Sequence, residues 1–166
     1  MADQLKRVAV DTSVILDLLI GTDGAKADRA EYLLSGHGER YRVLLPAIVI
    51  AEIAGAPAVR GDNLTRELRE ERVGKALDWI RRSNFIVAEL SERTARRAAE
   101  LATELQLRGP DASILATAEQ WGCKLLYASD GDLTKCDGRL GFKITEPDDP
   151  PPPEPTEYDL FTPTDE

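Results

Sequence analysis

The chain has 166 residues, of which 42% are hydrophobic and 31% are charged, and its formal net charge is -9. This length is enough for one ordinary domain with a sizeable core, plus a tail. No apolar run approaches the roughly 20 residues that span a bilayer, and the first residues lack the basic and apolar regions of a signal peptide, so we expect a soluble, cytoplasmic protein with no membrane partner.

The negative charge is concentrated in the last residues of the chain. Residues 146–166 contain eight acids and no lysine or arginine, so residues 1–145 carry 22 acids and 21 bases and are nearly neutral. We predict a folded domain over residues 1–146 and an acidic, proline-rich tail over residues 147–166 that is extended or disordered. A nearly neutral body leaves a nucleic-acid partner open.

Few residues are available for cysteine or histidine chemistry. Cys123 and Cys136 lie thirteen residues apart, which is not the spacing of a zinc knuckle or a C-x-x-C motif, so we expect plain thiols. His37 is the only histidine and stands between two glycines, so we expect an exposed loop residue. A single histidine excludes metal sites that are built from several histidines.

The first predicted element is an apolar strand over residues 7–10, which ends at Asp11. Thr12 and Ser13 follow, and hydrophobic residues at helical spacing then predict a helix. Because the carboxyl ends of parallel strands face the ligand crevice in such folds, Asp11 is a candidate site residue. An ordinary helix N-cap is the alternative for this acid.

Glu52 is the second candidate. A helix over residues 25–34 and a strand over residues 43–45 are predicted before it, and a third helix begins at Pro46. Glu52 is the one charge in the apolar segment 43–57, and a buried charge is costly unless it is paired or bound to a cation. We therefore favour a functional role, with a buried salt bridge or a solvent-facing position as the alternatives.

Residues 60–83 form the most basic stretch of the body. Leucine, isoleucine and Trp79 are interleaved with the arginines, and this pattern predicts an amphipathic helix. Its acids can form local ion pairs with the bases, so a solvated helix face and a phosphate-contacting surface are both open. Trp79 is expected to anchor a core or an interface rather than to stack on bases.

Asp111 is the third candidate acid. A strand is predicted over residues 85–90, and a helix begins at Ser91 before it. Asp111 follows Pro110 and falls in the first turn of a further apolar helix, which ends near Trp121. The alternative is an acid that only complements the helix dipole.

The last candidates follow a continuous apolar run over residues 123–128, which is typical of a central parallel strand. This strand leads into Asp130 and Asp132, so a second predicted strand ends in acids. The alternative is a plain turn, for which aspartate and glycine are common residues. A last short strand is predicted over residues 141–144.

Alternating strands and helices predict a three-layer α/β/α sandwich with a mostly parallel central sheet. In this fold class Asp11 and Asp130 end strands, while Glu52 and Asp111 lie on helices that can converge on the same crevice. Four gathered carboxylates repel one another, and no histidine is close to them in sequence, so a divalent cation is the expected counter-charge. Oxygen ligands suit Mg²⁺ or Mn²⁺, and such a site supports phosphodiester hydrolysis.

Four short motifs contain these acids. They are Val10-Asp11-Thr12-Ser13-Val14-Ile15, Ala51-Glu52-Ile53, Asp111-Ala112-Ser113-Ile114-Leu115-Ala116-Thr117-Ala118 and Ser129-Asp130-Gly131-Asp132-Leu133. Their order and spacing, over residues 7–145, resemble those of PIN-domain nucleases of the VapC toxin type.

The resemblance implies a PIN-like fold and an Mg²⁺- or Mn²⁺-dependent endoribonuclease that acts on RNA. It further implies a homodimer and a cognate antitoxin protein that neutralises the enzyme. By position, the resemblance implies an acidic quartet of Asp11, Glu52, Asp111 and Asp130. Asp132 is then an auxiliary or alternative fourth acid, and Ser13 is a polar helper.

Two features depart from the family pattern. The family often has threonine two residues before the fourth acid and phenylalanine after the following aspartate, where this chain has Ala128 and Leu133. The choice between Asp130 and Asp132 as the main fourth acid therefore stays open. The acidic tail is not a general feature of the family, and the resemblance does not cover it.

Two other functions fit part of the same pattern. One is a non-cleaving PIN-like module that binds RNA or protein. The other is a Mg²⁺-dependent phosphotransfer or phosphatase domain, but a dehalogenase-like phosphatase needs a second aspartate two residues after Asp11, where this chain has Ser13. A receiver domain needs a lysine at the end of a late strand, whereas Lys124 begins one.

Overall fold

The computed structural model describes residues 5–153 of the chain. The strands are β1 (Arg7–Val10), β2 (Arg42–Pro46), β3 (Ile86–Ala88), β4 (Leu125–Tyr127) and β5 (Lys143–Thr145). The helices are α1 (Thr12–Ile20), α2 (Gly24–Ser35), α3 (Ala47–Gly55), α4 (Pro57–Arg60), α5 (Arg66–Ser83), α6 (Glu92–Leu105), α7 (Gly109–Gln120) and α8 (Gly131–Thr134). No helix of this part of the chain is long and apolar enough to cross a membrane.

The strands form one parallel sheet in the order β3-β2-β1-β4-β5. Val8 of β1 lies beside Val43 of β2 on one side and Leu125 of β4 on the other. The chain moves outward from β1 through β2 to β3 and then crosses to the opposite side of β1 to form β4 and β5. The winding therefore reverses between β1 and β4, and the carboxyl ends of strands at such a point form the usual ligand crevice.

Both faces of the sheet are covered. Consecutive residues of the two central strands are buried, 8–10 in β1 and 43–45 in β2, although their side chains point alternately to opposite faces. A strand that is buried on both faces needs a layer of helices on each side. The predicted three-layer sandwich is confirmed, and every strand pair within residues 5–153 is parallel.

The basic stretch 60–83 is not one continuous helix. Helix α4 ends at Arg60, and Gly61 takes a φ of 75°, in the left-handed region that glycine adopts without strain. Helix α5 begins at Arg66 after Thr65, whose side chain accepts a hydrogen bond from the backbone N–H of Leu68. A glycine and a threonine cap thus divide the predicted element in two.

The prediction that His37 is an exposed loop residue is wrong. Nδ1 of His37 accepts a hydrogen bond from the backbone N–H of Val43 at 2.9 Å, so Nε2 carries the proton and donates it to the carbonyl oxygen of Asn84 at 3.0 Å. The ring also contacts Phe85 edge-on, with 5.2 Å between ring centroids. Half-buried His37 therefore joins the start of β2 to the segment before β3.

The described part of the acidic tail, residues 147–153, forms no helix or strand and lies partly against the body. Pro147 is buried, and Asp149 Oδ1 lies 2.5 Å from Nε of Arg29 on α2. The rest of the predicted tail, residues 154–166, lies outside the described residues. The domain boundary after residue 146 stays a prediction.

Candidate functional site

Asp11 and Ser13 connect the carboxyl ends of β1 and β4. Asp11 caps α1, is 4% exposed, and accepts hydrogen bonds at Oδ2 from the backbone N–H of Ser13 at 3.0 Å and from its Oγ at 2.5 Å. Oγ of Ser13 in turn accepts a hydrogen bond from the N–H of Ser129 at 2.9 Å, directly after β4. The helix-cap reading of Asp11 is therefore correct, and the cap sits at the reversal point of the sheet.

Glu52 lies on α3 and is half-buried. Its Oε2 accepts a hydrogen bond from Oγ1 of Thr12, the first residue of α1, at 2.5 Å. Glu52 forms no salt bridge within residues 5–153, so the paired-ion alternative for its burial is not found there. Thr12 was not predicted as a partner, because it is 40 residues away in sequence and the contact depends on how α1 and α3 pack.

Asp111 is 8% exposed, in the first turn of α7. This helix is buried continuously over residues 111–118, so its first turn is carried into the interior of the fold. Oδ2 of Asp111 accepts a hydrogen bond from Nε of Arg108 at 3.2 Å, and among the described residues no backbone N–H of the helix donates to this side chain. Asp111 is thus not a side-chain cap.

Asp130 and Asp132 differ in their surroundings. Asp130 directly follows the Ser129 that is linked to Ser13, is half-buried, and caps α8 by accepting a hydrogen bond at Oδ1 from the N–H of Asp132 at 2.9 Å. Asp132 is exposed, and its Oδ1 lies 3.1 Å from Nζ of Lys135. Only Asp130 therefore lies at the carboxyl end of β4 in a partly buried position.

The pKa values of Asp11 and Glu52 are raised by burial and by the charges of neighbouring acids. Burial raises the pKa of Asp11, and the charge of Asp111 adds to this effect. Burial also raises the pKa of Glu52, as do the charges of Asp11 and Asp111, while the hydrogen bond from Thr12 lowers it. The charge of Asp111 therefore opposes ionisation of both Asp11 and Glu52, and the charge of Asp11 opposes ionisation of Glu52.

Arg108 is the positive charge that the sequence analysis missed. Its pKa is raised by Asp111 and, more weakly, by Asp130 and Asp132, and its charge lowers the pKa of Glu52. The guanidinium therefore lies among the acids and offsets part of their charge. The available signal was its position three residues before Asp111, a spacing at which oppositely charged side chains on a helix meet.

The donor chemistry of the four acids suits a hard divalent cation. Asp11, Glu52, Asp111 and Asp130 each use one carboxylate oxygen in a local hydrogen bond, and the other oxygen accepts none from residues 5–153. Free carboxylate oxygens are the ligands that Mg²⁺ and Mn²⁺ prefer. As they stand, however, no three Asp, Glu, Cys or His side chains of the described chain are grouped closely enough to hold one ion.

The cysteines are plain thiols, as predicted, although Cys136 lies near the acids and donates a hydrogen bond to the carbonyl oxygen of Asp132. Both are buried and free, and burial raises the pKa of the Cys123 thiol to about 11. A thiol with such a pKa is protonated at neutral pH and is a poor nucleophile and metal ligand.

A family model for the PIN domain matches residues 8–139 of the chain. This range includes β2, all but the first residue of β1, and all five candidate acids. No curated protein matches the chain in sequence.

Solved structures with the same fold include bacterial toxins and toxin–antitoxin complexes. VapC20 of Mycobacterium tuberculosis, a toxin that cleaves the sarcin-ricin loop, is 22% identical with a TM-score of 0.61, over 82% of this chain and 98% of that one. A toxin–antitoxin complex from Klebsiella pneumoniae is 24% identical with a TM-score of 0.58, over 86% and 98%. VapBC2 from Rickettsia felis, bound to a DNA fragment from its promoter, is 16% identical with a TM-score of 0.59, over 86% and 99%. At these identities the similarity establishes a shared fold.

Proposed function

Because the chain belongs to the PIN-domain family, we propose that it is an Mg²⁺- or Mn²⁺-dependent endoribonuclease, and that it is the toxin of a toxin–antitoxin pair. The observation that carries the proposal is the hydrogen-bond network at the carboxyl edge of the sheet, in which Ser13 links buried Asp11 to the end of β4 and Thr12 of α1 binds Glu52. Burial and mutual repulsion of these carboxylates destabilise the fold, and a functional site is a common reason for such an arrangement.

The acids and their hydrogen-bond partners have separate roles in this proposal. Asp11, Glu52 and Asp111 would hold the ion through the carboxylate oxygens that accept no hydrogen bond from residues 5–153, once side-chain movement has brought them together. Thr12 and Ser13 act as positioning residues, since Thr12 donates a hydrogen bond to one oxygen of Glu52 and Ser13 to one oxygen of Asp11. When bound, the cation supplies an activated hydroxide and neutralises negative charge on the phosphate.

Asp130 is the main fourth acid in this proposal, and Asp132 is auxiliary. The support is that Asp130 is half-buried at the end of β4 and retains a free oxygen, whereas Asp132 is exposed and already paired with Lys135. Asp130 also follows Ser129, whose N–H donates to the same Ser13 that holds Asp11.

The proposed partners are RNA, an antitoxin protein and a second copy of the chain. Support for an antitoxin comes from structural neighbours that are toxin–antitoxin complexes, including those from Klebsiella pneumoniae and Rickettsia felis. Support for RNA comes from VapC20, whose substrate is the sarcin-ricin loop. The homodimer and the cytoplasmic location rest on the resemblance to VapC toxins.

The test is cleavage of labelled RNA by the purified protein in Mg²⁺, in Mn²⁺ and in EDTA. We expect cleavage with either cation and none in EDTA. Asp111→Asn should reduce the rate at least a hundredfold while thermal unfolding shows an intact fold. The control is Glu67→Gln, because Glu67 is an exposed acid on α5 that makes no contact with the site.

A non-cleaving PIN-like module is the alternative that one observation favours. Arg108 already pairs with Asp111, and no ready-made group of three ligands is found within the described residues. If this alternative holds, the wild-type protein binds RNA and does not cut it in either cation. Full activity in EDTA or in Asp111→Asn would instead refute the proposed site.

A further inference from the structure

A cleft of about 370 Å³ opens beside Asp111, and its charged lining contains more bases than acids. One wall is the connection from α6 to α7, and the other is α8 with the turn that follows it. The charged residues that line it are Arg108, Asp111, Asp132, Lys135 and Arg139. The cleft is within the size range of sites for small ligands.

The bases of the cleft keep donors available for an anion. Arg108 is 75% exposed along its side chain and pairs with Asp111 through Nε alone, so its two Nη atoms form no hydrogen bond within residues 5–153. Lys135 is equally exposed and pairs with Asp132. The Arg139 side chain forms no ion pair with any of the described residues.

We propose that this cleft binds a phosphate of the RNA backbone that neighbours the phosphate to be cut. The inference rests on the proposed function and names the residues that hold the substrate beside the acids. A guanidinium is a planar fork that matches phosphate through two parallel hydrogen bonds. Arg108 can therefore keep Asp111 on Nε and take a phosphate on its Nη atoms, which separates the two negative groups by a shared cation.

The position of the cleft favours an RNA phosphate as its ligand over a carboxylate of a partner protein. An RNA strand that is cut near Asp11 and Glu52 has a phosphate at every nucleotide, so a strand that extends past Asp111 brings one of them to Arg108. Without Arg108 the cleft would repel a phosphate more strongly, because Asp111 would face it without its positively charged partner.

The test is RNA binding by fluorescence anisotropy in EDTA, where the proposed enzyme does not cut, measured over a range of KCl concentrations. The variants are Arg108→Gln, Lys135→Gln and Arg139→Gln. The matched control is Arg96→Gln, because Arg96 on α6 is 77% exposed and also pairs with an acid one turn away, Glu92. Arg108→Gln and this control each remove one exposed arginine that pairs with an acid, at different positions on the surface.

We expect each cleft variant to weaken binding at least threefold at low salt. Each lost phosphate contact should also reduce the slope of log K against log salt by about 0.7, as for single-stranded nucleic acid. Arg96→Gln should bind like the wild type. All four side chains are largely exposed or lie on the surface, so thermal unfolding should show the fold intact in each variant.

The outcomes separate this inference from the proposed function. If the wild type cleaves RNA and the cleft variants bind like Arg96→Gln, the inference is overturned and the nuclease stands. If the cleft variants lose binding but neither cation produces cleavage, the cleft stands and the nuclease fails. A wild type that binds no RNA, or RNA displaced equally well by polyglutamate, overturns the phosphate site.

Discussion

Asp11 is almost fully buried, and no lysine or arginine of the described chain lies within salt-bridge distance of it. Its charge is held by the hydrogen bonds from Ser13, which lower its pKa, against burial and the charge of Asp111, which raise it. Burial is the largest of these effects, so folding raises the pKa of Asp11. Burial of the Asp11 carboxylate therefore lowers the free energy of unfolding when that acid is charged.

Asp11→Asn should stabilise the metal-free protein at neutral pH. A carboxyl whose pKa is raised on folding contributes stability below its unfolded pKa of about 3.8 and loses it as the pH rises through the folded value. Asparagine avoids that loss and is an equally good N-cap. We expect the free energy of unfolding in EDTA to rise by on the order of 1 kcal/mol at pH 7, and the gain to shrink toward pH 3.5. A variant that is less stable than the wild type at pH 7 would contradict this account.

Arg108→Gln should bind Mn²⁺ more tightly than the wild type. The guanidinium opposes a second positive charge beside Asp111, and its loss leaves that carboxylate without a partner among the described residues. We expect a several-fold lower dissociation constant by isothermal titration calorimetry, a modest change because Arg108 is exposed. Arg139→Gln, which removes a base that pairs with no described acid, should change Mn²⁺ affinity less. Weaker binding in Arg108→Gln would mean that Arg108 supports the metal site.

The candidate acids are visible in the sequence because they begin, interrupt or follow apolar segments. Their partners were less visible. Thr12 contacts Glu52, which is 40 residues later in the sequence. Ser13 contacts Ser129, which is 116 residues later. Such contacts follow from the packing of α1 against α3 and from the adjacency of β1 and β4, neither of which local patterns specify.

At the scale of elements, strand interiors were predicted better than boundaries and short helices. Residues 7–10 form β1 as predicted, whereas the predicted strand 123–128 is trimmed to Leu125–Tyr127. Helix α8 was read only as a possible turn, because four residues carry no helical periodicity. It forms because Asp130 caps it, so the same acid that ends β4 also begins the next element.

His37 connects two elements of the fold, and its sequence context did not indicate this role. Glycines on both sides indicated an exposed loop, but the ring contacts β2 and the α5–β3 connection through its two nitrogens. Burial lowers the pKa of His37, with a smaller contribution from the charge of Arg42. The neutral ring, which accepts from Val43 and donates to Asn84, is therefore the form that the fold selects.

His37 should make the protein sensitive to mild acid. A histidine whose pKa falls on folding stabilises the fold above its unfolded pKa of 6.5, and this contribution is lost as the pH falls from 6.5 through the folded value. As it is the only histidine, His37→Gln removes this dependence. We expect the loss of unfolding free energy between pH 7.5 and pH 5 to be about 1 kcal/mol smaller in the variant. Urea denaturation at both pH values measures this, and equal losses would contradict it.

At the scale of the whole molecule, the fold class follows from the alternation of strands and helices along the chain. Strands separated by helices predict a parallel sheet covered on both faces, and the buried central strands agree with this. Strand order was not predictable in the same way, because the crossing of the chain from β3 to β4 depends on tertiary packing. That crossing brings Asp11 and Asp130 to adjacent strand ends.

The acidic tail should weaken RNA binding at low salt. Residues 154–166 add five acids and no base, whereas residues 147–153 lie partly against the body through Asp149 and Arg29. Deletion of residues 154–166 should tighten RNA binding several-fold at low ionic strength, and the gain should fade as salt screens it. Anisotropy measures this, and a tail with its five acids changed to amides is the length-matched control. Unchanged RNA affinity in both the deletion variant and the amide variant would contradict a role of the tail charge in RNA binding.

Asp11, Glu52, Asp111 and Asp130 are proposed to form one metal-dependent site that cuts RNA. The most direct test is a Mn²⁺ titration in which bound ion, by electron paramagnetic resonance, and RNA cleavage rate are measured in the same samples. For the wild type, cleavage should rise in proportion to bound Mn²⁺ and be absent without it. Asp111→Asn should lose both together while Glu67→Gln keeps both. Cleavage without bound Mn²⁺, or full cleavage by Asp111→Asn, would contradict the claim.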